Sequence, residues 1–250
     1  MHVYIYDSFL TNKRYSNLLA KIETRITDLG LNGKICRLGV IKNYADTIRN
    51  EISRGAKTII AVGNDTTVSQ VINSMYGSDV PFAIIPIGKE NNLISHSLGI
   101  GLELEACDVL SARRVENVNL GKINSSYFLT EAKITTDNTI LGIDQNFSIE
   151  ISEPGEIKII NLPLEKNTLT VNGRFSPVDN TLELLIKTYG NKSFIKKTLG
   201  GESIFAFKKL SLENKNTSLL IDNAISVNLP AEISLASNNI NIIVGKNRNF

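Results

Sequence analysis

Asp65 is the residue from which a chemical reading of this 250-residue sequence can start. It lies in Gly63-Asn64-Asp65-Thr66-Thr67, directly after the apolar run TIIAV and directly before TVSQVINSM. A second polar turn, Gly88-Lys89-Glu90-Asn91-Asn92, follows PFAIIPI and leads into NNLISHSLG. Turns at the carboxyl end of a buried strand and the amino end of a helix are where α/β sheets collect ligands, because backbone amides point outward there. Gly63 and Gly88 would supply the tight turns, Asp65 a carboxylate for a metal, Thr66 and Thr67 hydroxyls, and Lys89 a positive charge for phosphate. The same residues suit a structural role equally: Asp65 or Thr67 as a helix cap, and Asn91 or Asn92 as the cap of the next helix. Spacing alone leaves both roles open.

The elements that must hold these turns are legible from periodicity. Residues 3–6 form a β-rich run, and 15–29 place Leu18, Leu19, Ile22 and Ile26 at helical spacing before Gly30. Residues 33–38 read as a strand and 44–54 as a helix stopped by Gly55. The runs 58–62 and 82–86 are wholly apolar, as strands buried on both faces are, and helical segments follow at 67–75 and 91–98. Such alternation predicts a parallel sheet flanked by helices. Beyond about residue 115 the period falls to two. There, 127–133, 147–151, 157–160, 182–188, 203–212, 217–221, 232–235 and 240–244 read as strands between Asn, Pro and Gly turns, as in an antiparallel β-sandwich. The expected division is an α/β domain over 1–105 and a β-sandwich domain over 106–250, with a frayed tail GKNRNF. A sandwich edge strand would be available for homodimer formation.

Composition narrows the function classes. Hydrophobic residues make up 42% of the chain, enough for a buried core. The formal net charge is +2, with 13 basic and 12 acidic residues in 1–120 and 14 and 13 in 121–250. No basic reserve for phosphate backbones exists, so nucleic acid is not expected as a partner. Cys36 and Cys107 are the only cysteines and His2 and His96 the only histidines, which argues against a disulfide framework or a Cys-based zinc site. No apolar run is long enough to span a membrane and no leader pattern opens the chain, so a cytoplasmic location is expected. The Asn-x-Ser/Thr triplets at Asn64, Asn124, Asn191 and Asn216 would matter only in a secreted protein. His96 reads as a partly buried packing residue, the pairs Lys196-Lys197 and Lys208-Lys209 as solvated charge, and the helix at 15–29 as packed on the sheet.

The residues also carry a resemblance. VGNDTTVSQVINSM resembles the GGDGTVNEVVNGL stretch of diacylglycerol kinase and sphingosine kinase type lipid kinases, with a more distant likeness to NAD kinases. PFAIIPIGKENNLISHSLGI is similar to that family's LGIIPLGTGNDFARSLGI. RVENVNLGKINSSYFLTEA, NGRFSPVDNTLEL and SLLIDNAISVNLPAEISLASNNINIIV resemble three further family segments, in the family's order, so the likeness covers nearly the whole chain. It implies a nucleotide-binding α/β domain, a β-sandwich on the acceptor side, and an active cleft between them. ATP phosphates would lie against Gly63, Asn64, Thr66, Thr67, Gly88, Lys89, Asn91 and Asn92, Asp65 would hold Mg2+, and Asp222 would match the base acting on the acceptor hydroxyl of a lipid or other small alcohol. Phosphoryl transfer needs the nucleotide held in line, its charge neutralised and the attacking hydroxyl oriented. Peripheral membrane contact is compatible with a lipid acceptor.

The family pattern is incomplete here. Asn64 and Thr66 replace glycines, Gln70 replaces Glu, Asn92 and Asn119 replace Asp, and Asn223-Ala224 stand where the family has Gly-Glu. Mg2+ can be held by one or two carboxylates with phosphates and water, which Asp65 could begin to supply. Three functions are open to such a chain: phosphoryl transfer from ATP to a lipid or small alcohol, a pseudokinase acting as a binding or regulatory module, and NAD-kinase-like transfer to a soluble acceptor.

Overall fold

In the computed structural model, residues 1–39, 43–135, 138–151, 153–164, 175–189, 201–214 and 217–250 are described, and the chain divides into two compact units. Lys196-Lys197, Asn191, Asn216 and the NGR of NGRF lie outside the described residues.

The first unit begins as the alternation predicts: β1 (His2–Tyr6), α1 (Ser16–Asp28), β2 (Gly33–Arg37), α2 (Tyr44–Ser53), β3 (Thr58–Gly63), α3 (Asp65–Met75), β4 (Phe82–Pro86) and α4 (Leu93–Ser97). Helix α1 buries Leu19, Ile22 and Ile26, so its apolar stripe faces protein. β3 is buried at all six positions, which is why it reads as a continuous apolar run rather than an alternating one. β2, β1, β3 and β4 pair in parallel in that order, and Gly63 stands opposite Pro86. That register sets the two polar turns side by side at the carboxyl edge of the sheet.

Two further elements, α5 (Leu104–Ala112) and β5 (Val115–Val118), extend this unit past the boundary expected at residue 105. The run at 240–244, expected in the sandwich, joins the first sheet instead. Residues Ile240–Ile243 pair in parallel with β4 and antiparallel with β5, and the first unit takes back Asn238–Asn249. Ile240, Ile242 and Ile243 are at most 3% exposed, so the open edge of β4 is covered by a strand that is apolar on both faces. The tail is also held rather than frayed: Gly245 N–H donates to Leu98 O (2.9 Å), Asn249 N–H to Ser97 O (2.8 Å), and Arg248 pairs with Glu116.

The second unit contains β6 (Gly121–Ile123), β7 (Ser126–Phe128), β8 (Glu131–Thr135), β9 (Thr139–Ile143), β10 (Phe147–Ile151), β11 (Gly155–Ile160), β12 (Leu182–Thr188), β13 (Glu202–Phe207), β14 (Lys209–Glu213), β15 (Leu219–Ile221), β16 (Ile225–Val227) and β17 (Ala231–Leu235); the returning strand Ile240–Ile243 is β18. Two six-stranded antiparallel sheets form, ordered β10-β9-β14-β17-β6-β7 and β13-β12-β11-β8-β15-β16. They share one core that includes Phe128, Leu141, Ile157, Leu184, Leu210, Ile221 and Ile233. The runs 127–133 and 203–212, each expected as one strand, are each two strands in different sheets, stepping across at Leu129-Thr130 and at Lys208. Each reads as one strand because the residues on either side of the step, Phe128 and Ala132 in one run and Phe207 and Leu210 in the other, face the same core.

Candidate active site

Helix α3 starts inside the first turn, two residues earlier than its periodicity predicts, so Asp65 and Thr66 are its first residues and Asn64 its N-cap. Asn64 Oδ1 accepts the Thr67 amide (3.3 Å), while Thr67 Oγ1 accepts the Asn64 amide (3.1 Å), a reciprocal capping box. The Asp65 amide donates to Asn91 O (2.8 Å). Gly63 is needed for space: a Cβ there would stand 2.1 Å from Thr67 Oγ1. Of the first-turn side chains expected to meet phosphate, Thr67 is fully buried and Thr66 is exposed.

The side chain of Asp65 is 2% exposed and spans to the second turn. Its Oδ2 accepts the Leu93 amide (2.8 Å) and its Oδ1 the Ile94 amide (3.1 Å). A carboxylate accepting the first amides of a helix satisfies donors that have no partner within the helix, and its charge favours that end. Asp65 thus caps α4, the helix after its own. In the second turn, Asn92 Nδ2 donates to Gly88 O (2.8 Å) and Glu90 O (3.1 Å), closing the loop on itself. Asn91 adopts φ +57° and Gly88 φ +85°, and a Cβ on Gly88 would meet nothing within 4 Å. Lys89 and Glu90 are exposed, and so is His96, which the sequence suggested as a packing residue. The structure therefore links Asn64, Asp65, Thr67 and Asn91 by hydrogen bonds, ties Asn92 to Gly88 and Glu90, packs Gly63 against Thr67 and leaves Thr66 and Lys89 exposed.

Asp222 belongs to the second unit and is 1% exposed. Its Oδ2 accepts the Leu129 amide (3.0 Å), and its Oδ1 accepts the Thr130 amide (2.8 Å) and Thr130 hydroxyl (2.6 Å). These donors sit where the chain steps between sheets, and sheet pairing leaves such amides without strand partners. Asp222 and Asn223 both have positive φ, +50° and +53°, and Ala224 N–H closes the turn onto Ile221 O (2.9 Å). Asn is among the residues that tolerate this left-handed conformation best, and Ala224 carries no acid. Asn119, which replaces an Asp of the family pattern, is 2% exposed; its amide N–H donates to Pro177 O and its carbonyl accepts Asn161 Nδ2. Nearby, burial raises the Glu131 carboxyl above the ordinary range against the pull of Lys158, and burial pushes Glu183 up to about 7.

One residue bonded to the first turn escapes sequence reasoning. Asp7 follows β1, and its Oδ2 accepts hydrogen bonds from Thr67 Oγ1 (2.6 Å) and Tyr44 Oη (2.7 Å). Its Oδ1 accepts the Phe9 amide (3.1 Å) and Ser8 Oγ (3.2 Å). Burial, and then the bond to Asp7, raise the Tyr44 phenol above its usual value. The signal was present: Asp7 is the polar residue at the carboxyl end of a parallel strand, the rule that singled out Asp65 and Lys89.

ATP and Mg2+, implied by the resemblance, can be tested against these contacts. The Asn64, Asp65 and Thr67 amides, which would receive phosphate oxygens at the first turn, already donate within the protein. Thr67 Oγ1 fills the space beside Gly63 and donates to the Asp7 carboxylate. Among the described residues no three His, Cys, Asp or Glu side chains gather as metal ligands. The residues of the first turn do not fit a metal-bound triphosphate; the second turn, open at Gly88 and Lys89, has room for an anion.

Residues 3–123 match the family model described as diacylglycerol kinase catalytic domain. The fold is similar to the solved structure of a diacylglycerol kinase from Bacillus anthracis str. Sterne, at 18% identity and TM-score 0.75, over 98% of this chain and 97% of that one. A second structure from the same organism, provisionally assigned as a diacylglycerol kinase, gives 16% identity and TM-score 0.76 with the same coverage. No curated protein sequence matches the chain. No described helix is long and apolar enough to cross a membrane. Residues 3–123 thus carry the likeness to a diacylglycerol kinase catalytic domain, and the chain as a whole has the fold of the solved diacylglycerol kinase structures.

Proposed function

We propose that this chain keeps the frame of the diacylglycerol kinase family and acts as a binding module without phosphoryl transfer. The observation that carries this is the same for both retained carboxylates: Asp65 holds the amides that open α4, and Asp222 holds those of the step between sheets. A base for an acceptor hydroxyl must be within hydrogen-bond reach of that proton, and a metal ligand must turn an oxygen toward the ion. Incubation with Mg-ATP labelled in the γ-phosphate, together with dispersed diacylglycerol, short-chain alcohols or NAD, is expected to leave every acceptor unlabelled. Labelling above the no-protein blank would overturn the proposal.

A second reading is favoured by the open turn at Gly88 and Lys89, where a Cβ on Gly88 would meet nothing within 4 Å and Lys89 is exposed. In it the chain binds ATP through this turn and transfers phosphate to a lipid, another small alcohol or a soluble NAD-like acceptor. Titration with Mg-ATP separates the two. A melting temperature rising with the logarithm of concentration favours the second reading, and a flat response to millimolar nucleotide favours the first.

A further inference from the structure

We infer that Asp7 is a specificity determinant that keeps polyphosphate off the first turn. Its carboxylate is bonded by Tyr44 at the start of α2 and by Thr67 in the first turn of α3, and it is anchored at its own strand end by the Phe9 amide. The backbone contact of Asp7 N–H with Val62 O (3.1 Å) fixes it one residue from Gly63. A full negative charge is thereby bonded to the hydroxyl that fills the space beside Gly63. A triphosphate approaching these donors would have to displace a carboxylate that already satisfies them, and would be repelled by it in a partly buried setting where Coulomb terms are poorly screened. The inference rests on the proposed absence of phosphoryl transfer but concerns the cause of exclusion rather than turnover.

The test compares the whole chain with Asp7→Asn and Tyr44→Phe, using inorganic tripolyphosphate and Mg-ATP as probes, with binding read by titration calorimetry and melting temperature. Asp7→Asn keeps the size of the side chain and removes the charge; it should bind tripolyphosphate at least about tenfold more tightly than the parent. The gain should shrink as salt rises from 20 mM to 300 mM, on the order expected for screening of a nearby charge. Tyr44→Phe removes one bond and keeps the charge, so it should gain nothing. Should Asp7→Asn fail to fold, Asp7→Ser supplies the same charge change with one hydroxyl retained. Equal gain in both variants, no gain in the neutral ones, or a parent that already binds as tightly would overturn the inference. A parent that labels an acceptor from ATP overturns the proposed function instead, whatever Asp7→Asn does.

Discussion

Replacing Asp65 by Asn separates a structural carboxylate from a metal ligand. The two oxygens each accept an amide, part-buried from Leu93 at 2.8 Å and buried from Ile94 at 3.1 Å, in a side chain 2% exposed. Asn offers one carbonyl oxygen, and its NH2 faces the second amide donor to donor. Leaving one buried donor unsatisfied costs about 1–3 kcal/mol. Losing a full charge at the amino end of α4 adds about 0.3–1 kcal/mol. The sum, about 1–4 kcal/mol, is a sizeable part of the roughly 5–15 kcal/mol that holds an ordinary domain folded. At about 2–4 °C per kcal/mol, the melting temperature should fall by roughly 2–16 °C. The measurement is urea unfolding in EDTA, so that no metal contributes, with amide exchange of Leu93 and Ile94 as the local readout. Asp65→Ala, which strands both amides, should fall further. An Asp65→Asn protein within about 0.5 kcal/mol of the parent in EDTA, with a loss that develops only on adding Mg2+, would refute the structural assignment.

Asp222→Asn should destabilise the second unit by about 1–3 kcal/mol, seen as a lower urea midpoint with fluorescence or exchange probes placed there, because three donors converge on a carboxylate 1% exposed. Gly63→Ala should cost about 1–3 kcal/mol through its clash with Thr67, whose Cβ as well as Oγ1 stands within 3 Å of the added carbon; an unchanged thermal midpoint would show that the turn yields freely. Glu183→Gln should give a stability difference that depends on pH. Burial raises the Glu183 carboxyl to about 7 from 4.5, with Thr181 pulling it down and Asp179 pushing it up. A raised carboxyl favours its neutral form, so its contribution is complete below the unfolded value and is lost as pH rises through the folded one. The variant's melting temperature should therefore gain on the parent's between pH 5 and pH 8, and a constant difference across that range would contradict the assignment.

What could be read from residue order, and what could not, follows from the range of the forces involved. The runs TIIAV and FAIIP announce themselves because burial on both faces demands apolar residues at every position, and the turns after them are visible by contrast. Asn64 and Thr67 satisfy each other across three residues, so their capping role was within reach of local spacing. Asp65 was expected to cap its own helix or hold a metal; its actual acceptor role depends on amides 28 and 29 residues away, which only the pairing of β3 with β4 brings near. Asp222 reaches donors 92 and 93 residues distant. The α5 segment LEACDVLSA lies in a stretch whose helical period was not recognised, although Ala106, Cys107 and Leu110 do fall on one buried face. Residues 240–244 have strand character in either sheet, so their true neighbours are a property of topology and not of pattern.

The return of β18 has a consequence for biosynthesis. A ribosome that has released only the first 118 residues has made β4 and β5 but not the strand that joins them. The unpaired edge of Phe82–Pro86 must stay exposed, or be shielded by a chaperone, while the sandwich residues emerge. Synthesis must pass Ile243 before the first sheet is complete, so the first unit cannot mature ahead of the second although it is encoded first.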